Sequence, residues 1–509
     1  MTQSQSVLVR TSDDETLPTT VRLPATAEAV AVGVVAVFVA AYWAVSSILI
    51  HRAFHSNGWD LGLIDQVVWN TSEGRPFSYS FRDISYAGDH WQPILLLLVP
   101  IKWLAAGPEP LLVAQAVALA VAVVPLYAFV RQAAGYAPAA ALSGGYLVGL
   151  GAARAVSFDF HTEAFAPLLA FSALWALGRG LPIAFLVCGL LTLTLKEDGA
   201  LLALALAWIA WIAFGQAKAA AVLAGVSVVY GYFVTALLIP HFRGDDLNPF
   251  LERYSYLGDT PLGVVFGAIT HPHLVAEQLL RIDSVEAIIL VLASAAFLPL
   301  LAPRLWPALA LVMVIPLLSK SPSQGDLELH YFLVPSLVAL TIAAVVVRTH
   351  VDRQCSLRLG SLRLNAVAWP VMAFAVPVLL FAFLSPLPPS FSTDWRRFDV
   401  DDHATLAADF VGDIPPDARV SAQSPFVPHL AERTHIHQFP RILDAEFVLL
   451  DAYGPVPAED HAAGYDRCLA SLPQLGFDRI REEDGFSLWQ RTRPAETATD
   501  APPECSGRR

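Results

Sequence analysis

Apolar residues run in about eleven stretches between residues 27 and 386, and the polar residues that interrupt them alternate in kind. Segments 27–50, 110–130, 137–157, 164–178, 181–195, 200–217, 219–239, 285–302, 305–319, 331–349 and 366–386 meet or approach the roughly 20 apolar residues that carry a helix across a bilayer. Those at 164–178, 181–195 and 305–319 are short. Acidic and histidine-bearing motifs fall at every second junction: Gly58-Trp59-Asp60-Leu61-Gly62, Gly88-Asp89-His90, Asp159-Phe160-His161-Thr162-Glu163, Lys196-Glu197-Asp198 and Leu329-His330-Tyr331. The intervening junctions carry Arg131, Arg179, Lys218, Arg304 and Arg348 instead. The pattern predicts a mainly α, polytopic helical membrane protein with its polar chemistry on one face.

Basic residues near span ends mark the cytoplasmic side. Arg10 and Arg22 precede the first span, and Arg353, Arg358 and Arg363 fill the loop 350–365, so both are expected inside. Residues 1–26 then form a cytoplasmic tail, 27–389 the membrane domain, and the end of the chain lies outside the plasma membrane. Arg154 and Lys196 sit near outer span ends against this rule, which marks them for something other than topology. The first outer loop, 51–109, predicts a helix over Leu61–Asn70 and a proline-broken apolar stretch over Trp91–Leu104. Both suit helices lying in the interface, flanked by Tyr79, Tyr86, Trp91 and Trp103.

Beyond residue 390 the pattern changes. Strands are expected at Ala418–Ala422 and Ala445–Asp451, helices at Asp402–Val411 and Glu459–Leu472, and a hairpin around Glu483-Asp484-Gly485. This describes a small α/β domain over 390–494, followed by a Pro-, Ala- and Thr-rich tail, 495–509, with the composition of a disordered segment. From Ser390 onward 21 Asp and Glu face 12 Arg, a net of −9 within a whole-chain charge of −13. So acidic a surface excludes nucleic acid as a partner. Only 15% of all residues are charged, well below a soluble domain. Cys468 and Cys505 fall on the side where a disulfide is permitted.

Each polar motif has a plain structural reading. Asp60 and Asp89 precede helices and fit N-caps. Asp65 fits a solvated surface. His161 with Glu163, and Lys196 with Glu197 and Asp198, fit self-neutralising loops, and His330 fits an interfacial histidine. Their joint placement at one set of span ends argues for function, because ionisable groups at a membrane are costly.

The run Phe54…Trp59-Asp60-Leu61-Gly62-Leu63-Ile64-Asp65-Gln66-Val67-Val68-Trp69-Asn70 resembles the opening motif of an uncharacterised family of prokaryotic polytopic membrane proteins. Asp89-His90-Trp91-Gln92-Pro93 is similar to its second motif. Gln115, Pro125-Leu126-Tyr127, Asp159-Phe160-His161, Lys196-Glu197-Asp198, His330-Tyr331 and Val420-Ser421-Ala422…Pro428-His429-Leu430 also fit. The resemblance covers roughly residues 50–455. That family in turn resembles the GT-C superfamily of integral-membrane glycosyltransferases, which move a sugar from a polyprenyl-phosphate donor to an acceptor outside the cytoplasm. The likeness implies a GT-C-like architecture with an acidic residue just after the first span, where Asp60 stands. Superfamily members often pair adjacent acids there; here four residues separate Asp60 from Asp65.

The resemblance implies Asp60 or Asp65 as general base toward an acceptor hydroxyl. It implies Asp89, His90, Arg154, Asp159, His161, Glu163, Lys196, Glu197, His330 and Tyr331 around the donor phosphate and substrate. A divalent cation, Mg²⁺ or Mn²⁺, is a possible cofactor at Asp60, Asp89 and His90, since hard cations take oxygen-rich sites. Implied partners are a polyprenyl-phosphate-linked sugar, an envelope glycan, lipid or protein acceptor, and membrane lipids. Two other classes compete. A transporter or flippase would place its polar groups near the midplane on broken helices. A non-catalytic envelope scaffold would leave the outer carboxylates idle.

Overall fold

The computed structural model describes residues 25–244, 249–321, 324, 329–351, 357–359, 362–364, 367–454, 459–494 and 505. Arg10, Arg22, Arg353, Cys355 and most of the 495–509 tail lie outside these. All eleven apolar segments are helical. Among the described residues, five helices are long and apolar enough to cross a membrane: Thr26–Arg52, Glu109–Ala134, Tyr136–Ser157, Ala217–Arg243 and His330–His350. Thr162–Gly178, Pro182–Thr192, Gly199–Phe214, Pro303–Leu318 and Ala368–Leu384 are shorter. Local chemistry sets those limits. Pro182 opens one helix, and Gly215, at φ 65°, closes another in the left-handed conformation that glycine adopts without a Cβ clash. The region before residue 285, given no element from sequence, holds the helices Pro261–Thr270 and Pro272–Leu279.

Helix α1 (Ala25–Arg52) lies at the periphery, with Val37 and Phe38 about 70% exposed. Helix Leu333–His350 lies at the centre, and every residue from Leu337 to Val347 is buried. Its alanines and valines let Val123–Ala134, Leu150–Ser157, Ala166–Gly178 and Trp306–Leu318 close around it. Ala368–Leu384 approaches Tyr136–Leu147 closely, and a Cβ on Gly145 would stand 3.0 Å from the Ala373 carbonyl.

The C-terminal region forms a five-stranded mixed sheet. After a hairpin of β1 (Leu357–Leu359) and β2 (Leu362–Leu364), the sheet contains β3 (Val420–Ala422), β4 (Ile436–Gln438), β5 (Phe447–Asp451), β6 (Phe477–Glu483) and β7 (Phe486–Arg491), ordered β4-β3-β5-β7-β6. β3 runs parallel to β4 and β5, and β7 antiparallel to β5 and β6. The expected strands and hairpin are present; β4, whose Ile436 lies between two histidines, had no strand signal. One apolar core unites this sheet with the first loop. Leu61, Val67, Tyr86 and Leu111 pack with Phe410, Val427, Phe447 and Leu488. The loop after α1 and the sheet therefore share one face of the helical bundle. Cys468 and Cys505 are bonded. Cys505 is buried, and its carbonyl accepts from Ile442 N at 3.0 Å. At that residue the chain is anchored, which corrects the expectation of a wholly loose tail.

Candidate functional site

The glycines of Gly58-Trp59-Asp60-Leu61-Gly62 explain where Asp60 sits. They form one turn of π-helix that runs into α2 (Leu63–Ser72). A Cβ on Gly58 would meet Gln438 Oε1 at 2.5 Å, and one on Gly62 would meet Val427 Cγ1 at 2.9 Å. Only glycine lets segment 424–430 seat against this turn, where Ser424 Oγ accepts from Gly58 N at 3.0 Å. π-turns inside helices are frequent at functional sites. Asp60 lies within the helical stretch, so it is not the N-cap that the sequence allowed. The cap position belongs to Asn57, whose side chain makes no capping bond.

Asn57 instead donates from N and Nδ2 to Asp159 Oδ2, at 3.0 and 2.9 Å. Gln115 holds the Asp159 loop from behind: Nε2 donates to the Ala155 and Asp159 carbonyls at 3.1 and 2.7 Å, and Oε1 accepts from His161 N at 2.9 Å. Asp159 takes φ 50°, a conformation seldom adopted by a non-glycine residue. Burial, and then the charge of Asp60, push its carboxyl up to about 7, against the Asn57 hydrogen bonds.

From Asp60 the motifs connect in sequence. His161 Nε2 lies 3.4 Å from Asp60 Oδ1. The His161 ring stacks on His330 with centroids 3.5 Å apart, and His330 touches Tyr331 at 4.2 Å. Lys196 Nζ lies 5.9 Å from the Tyr331 ring centre and donates to Glu163 Oε1 at 3.1 Å. Glu197, beside it, meets His90 Nδ1 at 2.8 Å and accepts from Trp91 N at 3.3 Å. Arg154 stands over the ring of Phe332 at 5.3 Å. Burial disfavours the Lys196 charge, yet Glu163, Asp198, Tyr331 and Glu197 outweigh it and hold its pKa well above the usual lysine range. Burial pushes Asp198 up to about 6 despite Lys196. Beside Asp60 and Tyr331, His161 Nδ1 and His330 Nδ1 are buried without a hydrogen-bond partner among the described residues. Such atoms call for a water or a ligand. A cavity of about 50 Å³ opens beside Glu163, Asp198, His330 and Tyr331. A larger cleft, about 670 Å³, lies between the first loop and the sheet, lined by Asn57, Asp399, His403, Asp451 and Tyr453.

Two of the sequence candidates stand apart from this network. Asp65 is wholly buried and ion-paired with Lys102, which also bonds Glu432 Oε1 at 3.0 Å and the Gly107 carbonyl at 2.7 Å. It is no solvated surface residue; burial pushes it up to about 6 despite Lys102. Asp89 accepts from Arg243 Nη2 at 2.6 Å and Tyr79 OH at 2.8 Å, with Arg82 at 3.4 Å. Two guanidiniums leave it little to offer a cation. Asp60, Asp89 and His90 do not gather into a ligand set; among the described residues, the group that does is His435, His437 and Asp444. The residues do not fit the Mg²⁺ or Mn²⁺ site expected there.

The chain matches the model of a family described as predicted membrane protein, DUF2079, over residues 50–460. It belongs to that family. It is a multi-pass membrane protein, and the matched stretch holds every motif of the network. Among curated proteins none matches. Solved structures similar to it include ArnT from Cupriavidus metallidurans bound to undecaprenyl phosphate, at 15% identity and TM-score 0.46, covering 94% of this chain and 100% of that one. The apo state of the same protein aligns at 16% identity and TM-score 0.49, covering 94% and 99%. Sequence reasoning gave no role to Asn57, Gln115, Lys102 or Arg243. Their bonds to Asp159, Asp65 and Asp89 span 37 to 154 positions, and no local pattern announces such pairings.

Proposed function

We propose that this protein is a membrane glycosyltransferase that moves a sugar from a polyprenyl-phosphate donor to an extracytoplasmic acceptor, with Asp60 as general base. The reading rests on one observation. Five motifs far apart in sequence converge on a network in which Asp60 keeps 29% of its side chain exposed and its one ion pair, among the described residues, is a 3.4 Å contact with His161. Asp65 and Asp89, by contrast, are buried and neutralised. A base needs reach as well as charge. In the proposed step Asp60 takes the proton of an acceptor hydroxyl, and that oxygen bonds to the sugar's anomeric carbon. The bond from that carbon to the lipid-phosphate oxygen breaks, and the phosphate leaves with its electron pair. Lys196 offsets the negative charge that develops there, and Asp159, with its pKa raised toward neutrality, adds less negative charge beside Asp60 than an ordinary carboxylate would. The large cleft beside Asn57 gives an acceptor room to approach. A lipid-bound donor accounts for a site at the span ends rather than at midplane.

Asp60→Asn tests this. Asparagine keeps the shape but cannot take the proton, so sugar transfer in membranes should fall by about 10²–10⁴. Near-wild-type turnover, with melting temperature unchanged, would sink the proposal. The reading also needs the sheet outside the cell, as the basic residues of the opposite junctions imply. Ser471→Cys, part-exposed at the end of helix Glu459–Ser471, should be labelled by an impermeant reagent on intact cells. Labelling only after lysis reverses the orientation.

A further inference from the structure

We propose that His435, His437 and Asp444 form a transition-metal site, suited to Zn²⁺, at the edge of the C-terminal sheet. His435 and His437 bracket Ile436 at the start of edge strand β4, and a spacing of two puts both rings on one face. Leu443, at φ 45°, turns the chain back so that Asp444 lies between the rings. Asp444 Oδ2 is 3.0 Å from His435 Nδ1, and its Oδ1 is 2.8 Å from His437 Nε2. The three ligand atoms lie within 4.8 Å of one another. Two imidazoles and a carboxylate with one position left open for water make a donor set that zinc accepts. The support behind the ligands is also present. His437 is buried, and its other ring nitrogen, Nδ1, faces the Ser80 carbonyl at 3.3 Å, the backing that orients metal-bound histidines. Ser80 is itself fixed: its hydroxyl accepts from Ile436 N at 2.9 Å and donates to the Ile436 carbonyl at 2.7 Å, while Gln66 Oε1 accepts from Ser80 N at 2.9 Å. The cations nearby are committed elsewhere. Arg419 pairs tightly with Glu446 at 3.0 Å and only loosely with Asp444, at 3.9 Å, and Arg441 donates to the Phe81 carbonyl. Metal would replace the protons now shared between rings and carboxylate and tie β4 to the loop before β5. None of the three residues belongs to the Asp60 network, so this site stands whether or not the chain transfers sugars.

The experiment uses the full-length protein in detergent, stripped with chelator and titrated with ZnCl₂ by calorimetry. CoCl₂ is followed separately by its visible absorption. One saturable equivalent is expected, with a Zn²⁺-dependent rise in melting temperature by mass action. His435 is half exposed, so His435→Ala should fold with unchanged metal-free melting temperature. It should bind about a hundredfold or more weakly, at least what losing even a supporting partner costs. Asp444→Asn should act likewise. Absence of saturable binding, or binding unaltered in both variants, overturns the proposal and leaves a hydrogen-bonded imidazole–carboxylate cluster.

Discussion

Asp60 and Asp65 stand five positions apart on one continuous helical stretch, and their surroundings differ in almost every respect. Asp60 is part-exposed and meets an imidazole at 3.4 Å, with a second carboxyl, Asp159, close enough to have its own pKa raised by it. Asp65 is fully buried in an ion pair with Lys102, which is itself 1% exposed and shared with Glu432 across the seam to the sheet. Five residues is well beyond one helical turn, so the two side chains leave the helix in different directions. One faces the ends of the spans and the other faces the join with the C-terminal region. The contrast teaches that position after the first span does not by itself select a base. What separates the two acids is whether the charge is already spent.

The comparison can be broken at either end. The largest effect is expected at Asp60, where the asparagine variant removes chemistry and spares the fold. If the Asp65 seam is structural, Lys102→Ala should strand a buried carboxylate and cost about 3–5 kcal/mol of stability, read as a lower melting temperature, while turnover per folded molecule stays near wild type. A matching loss of turnover in the surviving protein would return Asp65 to the site. The double change Lys102→Met with Asp65→Leu should recover most of that stability, since a buried pair replaced by apolar side chains is often neutral. Lys196→Ala should weaken donor binding by about 2–3 kcal/mol, the loss of a charged hydrogen bond. Unchanged donor affinity with reduced stability would assign Lys196 to its pair with Glu163 alone. The smallest effect concerns Asp159. Its folded pKa lies above the unfolded value, so the folded state holds the extra proton and stability declines as pH rises from about 4 to about 7. Asp159→Asn should flatten that decline, raising the melting temperature at pH 8 relative to pH 5 by about 1–2 °C. An unchanged slope would mean that Asp159 does not carry the proton.

Much of this was legible in the chain. The alternation of acidic and basic junctions marked the face on which Asp60, His90, Asp159, His161, Glu163, Lys196, Glu197, His330 and Tyr331 meet, because topology forces every second junction to one side. The strands β3, β5, β6 and β7 followed from apolar runs and from the turn at Asp484-Gly485. Sequence could not separate Asp60 from Asp65, since the deciding partners, His161 and Lys102, are remote in the chain. It also missed β4, whose Ile436 sits between two histidines and shows no apolar alternation. The full span count was legible only as helices, because six of the eleven segments lack one long apolar helix, the one in 285–302 breaking at Ala296 and Phe297.

The shared core of the first loop and the sheet has a consequence for how the protein is made. Apart from Phe160, its two halves, Leu61–Leu112 and Ala407–Leu488, are separated by about 300 residues of chain. At a synthesis rate of about 5–20 residues per second, the first half waits on the order of 15–60 s for its counterpart. Throughout that interval Leu61, Val67 and Val68 have no partner from the sheet. A newly made chain thus carries a sticky, unfinished surface from its first crossing until its last hundred residues arrive, and that interval is when a membrane chaperone would have most to do.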